Sequence, residues 1–154
     1  MVLKIVQWNI NCYQNNYSQL QILIQSKLPQ IIARNSSKNS PTTINNPKKL
    51  QQSDWNRRGI ATLIANNLEH KIINLQWNIL ALGIQIYLEV TFVVINIYIR
   101  PNEKISAEKL TKWIQNINKT MLFLGDFNAW SPIWSSSNYN ERDRILSTTT
   151  ILLC

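Results

Sequence analysis

The chain has 154 residues, 45% hydrophobic and 16% charged, enough for one packed domain and too few for two. That balance excludes a disordered tail, and two cysteines, Cys12 and Cys154, exclude a disulfide framework or a cysteine-built metal site. The net charge of +8 favours a polyanionic partner, although the basic residues are dispersed, with Lys48-Lys49 and Arg57-Arg58 as the only adjacent pairs.

Met1 to Ile5 is apolar but short and is interrupted by Gln7 and Asn9, so no signal peptide is expected. The longest apolar run, Phe92 to Ile99 broken at Asn96, is too short to span a bilayer. An intracellular protein, nuclear or cytoplasmic, with no membrane partner and no small-molecule cofactor is the resulting expectation. Asparagine is abundant, in pairs such as Asn15-Asn16, Asn45-Asn46 and Asn66-Asn67, which reads as a nucleotide-composition bias.

Leu3 to Asn9 alternates apolar and polar residues and predicts a strand. Ser18 to Leu28, with Pro29 just beyond, predicts a helix, and Gln30 to Ala33 a short buried strand. Asn35 to Gln52 is rich in Ser, Asn, Thr and Pro and reads as a long loop. Gly59 to Ile64 and Glu69 to Leu75 follow as strands, then Leu80 to Leu88 and Thr91 to Ile99 as a hairpin turning near Glu89. Ser106 to Asn116 predicts a helix capped by Ser106 with Lys109 and Lys112 on its polar face. Thr120 to Leu124 predicts a buried strand ending at Gly125-Asp126, and Arg142 to Leu153 a last helix. Hairpins flanked by helices imply an α+β or layered α/β domain.

Two strand ends carry the chemistry. Trp8-Asn9-Ile10-Asn11 leaves the first strand, and Gly125-Asp126-Phe127-Asn128-Ala129-Trp130 leaves a later one. Strand termini are where ligands approach a sheet, and a glycine before Asp126 and Asn128 lets the chain turn sharply. Singly, each tripeptide is equally readable as turn capping by Asn and Asp.

Together, Trp-Asn-x-Asn, an Ile-Tyr strand end at Ile97-Tyr98 and Gly-Asp-Phe-Asn-Ala resemble the endonuclease/exonuclease/phosphatase family in order and spacing. The stretch from Gly125 to Trp134, with Gln7 to Asn11 and Asn56 to Ala61, looks like the endonuclease of LINE-type, jockey-like non-LTR retrotransposons. The resemblance implies that residues 1–154 form an incomplete DNase I-like domain, a partial four-layered α/β sandwich lacking its C-terminal part. It further implies an ancestral Mg2+-dependent hydrolase of DNA phosphodiesters, fused to a reverse transcriptase. Under that resemblance Asn9 helps hold the metal and Tyr98 hydrogen-bonds the scissile phosphate. Asp126 orients or deprotonates the attacking water, and Asn128 positions the phosphate. Asn11, Asn140 and Arg142 support DNA contact, with Asp143 standing where relatives have glycine. Asn102 is one residue off the spacing of a further family asparagine. These residue types suit the roles, since a carboxylate accepts a water proton and amide N–H groups bind phosphate oxygens.

The pattern is broken in two places. Aligning Pro29-Gln30-Ile31-Ile32 with the family's Pro-Asp-Ile-Ile puts Ser36 where its metal-binding glutamate stands. Magnesium is a hard cation that needs carboxylate oxygen in such a site, and serine offers a neutral hydroxyl. The family's C-terminal Ser-Asp-His is also absent, and the one histidine, His70, reads as a structural residue at a strand edge. Each loss should cost several kcal/mol of transition-state stabilisation. The expectation is a degenerate copy without detectable nuclease activity. The alternatives are a non-catalytic nucleic-acid-binding remnant with a basic surface, or a nuclease that recruits a substitute acid such as Asp54 and a partner chain.

Overall fold

The computed structural model describes residues 2–10, 13–36, 48–53, 59–130, 132 and 137–151. Contacts divide it into two units, Met1–Tyr98 with Thr120–Gly125, and Ile99–Lys119 with Asp126–Cys154.

The first unit holds two four-stranded sheets. In one, β1 (Ile5–Ile10) runs parallel to β2 (Ile31–Ser36), which pairs antiparallel with β4 (Gly59–Ile64), and β3 (Lys48–Ser53) closes the far side of β4. In the other, β5 (His70–Ile73), β6 (Leu80–Ile86) and β7 (Phe92–Tyr98) form an antiparallel meander, with β8 (Met121–Asp126) beside β7. The faces between the sheets carry a core of Ile31, Ile64, Leu68, Ile84, Ile86 and Val94, all buried. β-Branched residues suit this role, because they fill a pleated face with few rotamers to lose. The outer face of the first sheet is covered by α1 (Tyr13–Lys27), whose Leu20 packs with Ile32 and Leu63. The layers of this unit are therefore helix, sheet and sheet.

Two buried amides stitch the sheets. Asn96 of β7 is fully buried and donates to the carbonyl of Ala61 at 3.0 Å, and to Thr62 Oγ1 at 3.3 Å. Asn35 of β2 donates to the carbonyl of Ile97 at 3.4 Å. A buried amide is tolerated only when hydrogen-bonded, so these bonds also fix how the sheets register on one another.

The second unit holds α2 (Ala107–Ile117) and α3 (Glu141–Ile151), which pack on each other. Ser106 caps α2, its Oγ accepting from the Lys109 N–H at 3.2 Å, and Leu110, Trp113 and Ile114 form the buried face. On the polar face Lys112 pairs with Glu108 at 2.8 Å, which holds the exposed Glu108 carboxyl below its ordinary pKa. Lys109 lies over the ring of Trp113, 5.3 Å from its centroid.

Two expectations need correction. The stretch read as one loop from Asn35 to Gln52 contains the end of β2 and most of β3. Lys48-Lys49-Leu50-Gln51-Gln52-Ser53 has little strand pattern of its own, and it is extended because β4 offers a free ladder of backbone partners. The first helix begins at Tyr13, five positions before the Ser18 start expected from apolar spacing. It ends as expected: Leu28 turns left-handed at φ 48°, its N–H still bonded to the Ile24 carbonyl at 3.0 Å, and Pro29 follows. Among the described residues no helix is long and apolar enough to cross a membrane.

Candidate active site

In the first unit the expected residues gather at one end of the sandwich. Asn9 is the penultimate residue of β1, exposed, and in register with Asn35; the next pair is Ile10 with Ser36, which ends β2. Asn35 reaches across to Ile97, so the row holding Asn9 and Ser36 lies at the same end as Tyr98, the last residue of β7, half-buried. Gly125 of β8 is there too: its carbonyl accepts from the Gln7 side-chain amide at 2.6 Å. Its φ of 131° belongs to glycine, and a Cβ there would overlap the Ile97 carbonyl. Gly125 thus serves two demands, a left-handed backbone and a close approach to β7.

The second unit holds the turn that follows. Asp126 accepts the N–H of Asn128 at 2.9 Å through Oδ1, an Asx-turn that Asn128 completes with a left-handed φ of 50°. One N–H of the Asn128 side chain donates to the carbonyl of Ile99 at 2.7 Å, and the Ile99 N–H donates to the carbonyl of Asp126 at 2.9 Å. Asp126 and Asn128 are therefore held by the segment that begins immediately after Tyr98.

Asn140 and Arg142 meet the same turn. Asn140 Nδ2 donates to the carbonyl of Asn128 at 2.8 Å, while its Oδ1 accepts from the N–H groups of Trp130 and Asp143, both at 3.1 Å. The Asp143 contact makes Asn140 the N-cap of α3, so the position where relatives have glycine is here a buried residue in a helical first turn. The Arg142 guanidinium reaches four backbone carbonyls, those of Phe127 at 3.2 Å, Arg100 and Pro101 at 2.6 Å, and Glu103 at 2.7 Å. Asn102 is exposed in the turn this side chain grips.

Asn11, Asp54 and Trp134 lie outside the described residues. Trp130 is 56% exposed. His70 is half-buried with Nδ1 2.7 Å from the Leu68 carbonyl, a contact that occupies its ring in the local turn. Sequence reading missed Gln7 and Asn35 as parts of this end of the sandwich. A polar residue between Val6 and Trp8, inside an apolar strand, was the available signal for Gln7.

Among the described residues the donor set does not fit a divalent ion well: no three His, Cys, Asp or Glu side chains come together there. The residue ending β2 is serine by sequence, and Asn9 on the neighbouring strand is a carboxamide rather than a carboxylate. Neutral oxygens alone hold magnesium weakly against water.

The mixed α/β fold, with two sheets and three helices among the described residues, matches DNase I-like endonuclease folds. Residues 92–152 match the family described as endonuclease-reverse transcriptase. The fold is similar to that of the endonuclease domain of TRAS1, a telomere-specific non-LTR retrotransposon, with a TM-score of 0.76 and 17% identity over 97% of this chain and 72% of that one. An AP endonuclease from Archaeoglobus fulgidus is similar with a TM-score of 0.68 and 17% identity, over 98% of this chain and 71% of that one. A 3′ phosphatase from Neisseria, solved bound to a product DNA hairpin, gives 0.64 and 15%, over 98% and 71%. No curated protein matches the chain by sequence.

Proposed function

We propose that this chain is a retrotransposon-derived endonuclease-like domain, descended from a metal-dependent DNA phosphodiesterase, that does not cleave DNA by itself. The observation that carries the reading is the end of β2, where Ser36 follows the Asn9–Asn35 pair, and among the described residues no three His, Cys, Asp or Glu side chains come together. In the ancestral reaction a magnesium ion would supply positive charge to the phosphate as it is attacked. Asn9, Tyr98, Asp126 and Asn128 are the residues this reading assigns to that chemistry. What Asp126 and Asn128 still offer, within the second unit, is a hydrogen-bonding frame: a carboxylate that accepts a backbone N–H and an amide held beside it. Without a held cation, that frame lacks the largest source of charge stabilisation for a dianionic transition state.

DNA is the ancestral substrate under this reading, and a reverse transcriptase the ancestral fusion partner. The charge of +8 supports residual affinity for nucleic acid, which is the second reading. Incubating the chain with supercoiled plasmid and magnesium tests the first, with unchanged plasmid as the expected result. Gel shifts with duplex DNA between about 50 and 200 mM salt test the second, because binding through phosphates must weaken steeply as salt rises. Retained affinity without nicking fits both readings, and nicking overturns the first.

A further inference from the structure

Arg142 and Asn140 are expected from the resemblance to support DNA contact, yet both donate hydrogen bonds to this chain's own backbone. We propose that the pair is a positioning clamp for the Asp126–Asn128 turn. The Arg142 guanidinium bridges the carbonyl of Phe127 to those of Arg100, Pro101 and Glu103. Asn140 takes the next carbonyl, that of Asn128, and the N–H of Trp130. The Trp130 carbonyl accepts from the Asn140 backbone N–H at 3.1 Å. Every residue from Phe127 to Trp130 except Ala129 is thus gripped from the start of α3.

The turn needs that grip. Asn128 sits at φ 50°, a left-handed conformation that asparagine adopts more readily than most residues but still at a cost that local hydrogen bonds offset. Its side chain in turn binds the carbonyl of Ile99, so its direction depends on the 99–103 segment that Arg142 holds. Arginine suits the task because a planar fork with five donors can bridge several acceptors, while a lysine ammonium presents one charge. As a route to function, the clamp rests on the reading of Asp126 and Asn128 as the former catalytic turn. The geometry it enforces is testable without that reading.

Two conservative variants separate the clamp from its alternatives. Arg142→Lys keeps the charge and removes the fork. Asn140→Asp keeps the oxygen that caps α3 and replaces the N–H that holds the Asn128 carbonyl. In NMR spectra of the full chain, both should move the Asn128 Cα and Cβ shifts away from left-handed values. Both should also speed exchange of the Asn128 and Trp130 amides by about tenfold or more, with the α3 amides unchanged in Asn140→Asp. Unchanged Asn128 shifts in both variants overturn the clamp. If the chain binds DNA, Arg142→Lys and Arg142→Ala should bind with the same salt slope as the parent. A slope that falls by about one in the alanine variant alone instead marks Arg142 as a phosphate contact and overturns the proposal. Absence of DNA binding would count against the binding reading of the chain and leaves the NMR result to decide the clamp.

Discussion

The side-chain amide of Gln7 donates to the backbone carbonyl of Gly125 at 2.6 Å, joining β1, at the edge of one sheet, to β8, at the edge of the other. The bond ties together the two strands whose ends lead into Asn9 and Asp126. Gln7 is exposed, so water competes for the same groups. Gln7→Ala should therefore cost only about 0.5–1 kcal/mol of stability, measured by urea unfolding with an unchanged m-value.

Gly125 and Gly83 should respond differently to alanine. At Gly125 a Cβ meets the Ile97 backbone and the φ is 131°, so neither the neighbour nor the residue can yield. At Gly83 the Cβ meets the Leu75 side chain at 3.0 Å, a contact relieved by a side-chain shift of a few tenths of an ångström. Gly125→Ala should cost about 3 kcal/mol or more, or abolish soluble expression, and Gly83→Ala about 1 kcal/mol. Paired denaturant melts decide it.

Asn96 is fully buried among apolar residues, and its amide serves acceptors on the facing sheet. Asn96→Ala leaves those acceptors short of a donor and opens a small cavity, with an expected loss of about 1–3 kcal/mol. Asn96→Asp should be worse near neutral pH, because it puts a carboxylate where the structure presents oxygens. Raising stability of the aspartate variant by acidification, as its carboxyl becomes neutral, would be the confirming sign.

Much of the fold was legible because it follows from local pattern. The β6–β7 hairpin announced itself by two apolar runs around Glu89, and α2 by Ser106 and the spacing of Leu110, Trp113 and Ile114. The Gly125-Asp126 turn was legible because glycine marks a backbone demand. β3 was not, because Lys48 to Ser53 is extended only through its pairing with β4. Nor were the roles of Asn35 and Asn96, since sequence gives a donor's identity but not the carbonyl it meets. The abundance of asparagine read as compositional bias, and two of those residues are buried bonds between sheets. The backbone bonds of Arg142, expected only as a support for DNA contact, were hidden for the same reason: its four acceptors come from segments distant in the chain.

Ser36 invites the reverse experiment. Ser36→Glu places a carboxylate, a hard oxygen donor, at the end of β2 next to the Asn9–Asn35 pair. Magnesium affinity should rise by about tenfold or more over the parent chain. Calorimetric titration of both proteins gives the comparison, with Ser36→Gln as the uncharged control that should not gain.

The most direct test of the account is calorimetric titration of the parent chain with magnesium, followed by nicking of supercoiled DNA at the same metal concentration. Weak or undetectable metal binding with no nicked product is the predicted result. Tight magnesium binding with nicking that disappears in Asp126→Asn would contradict it.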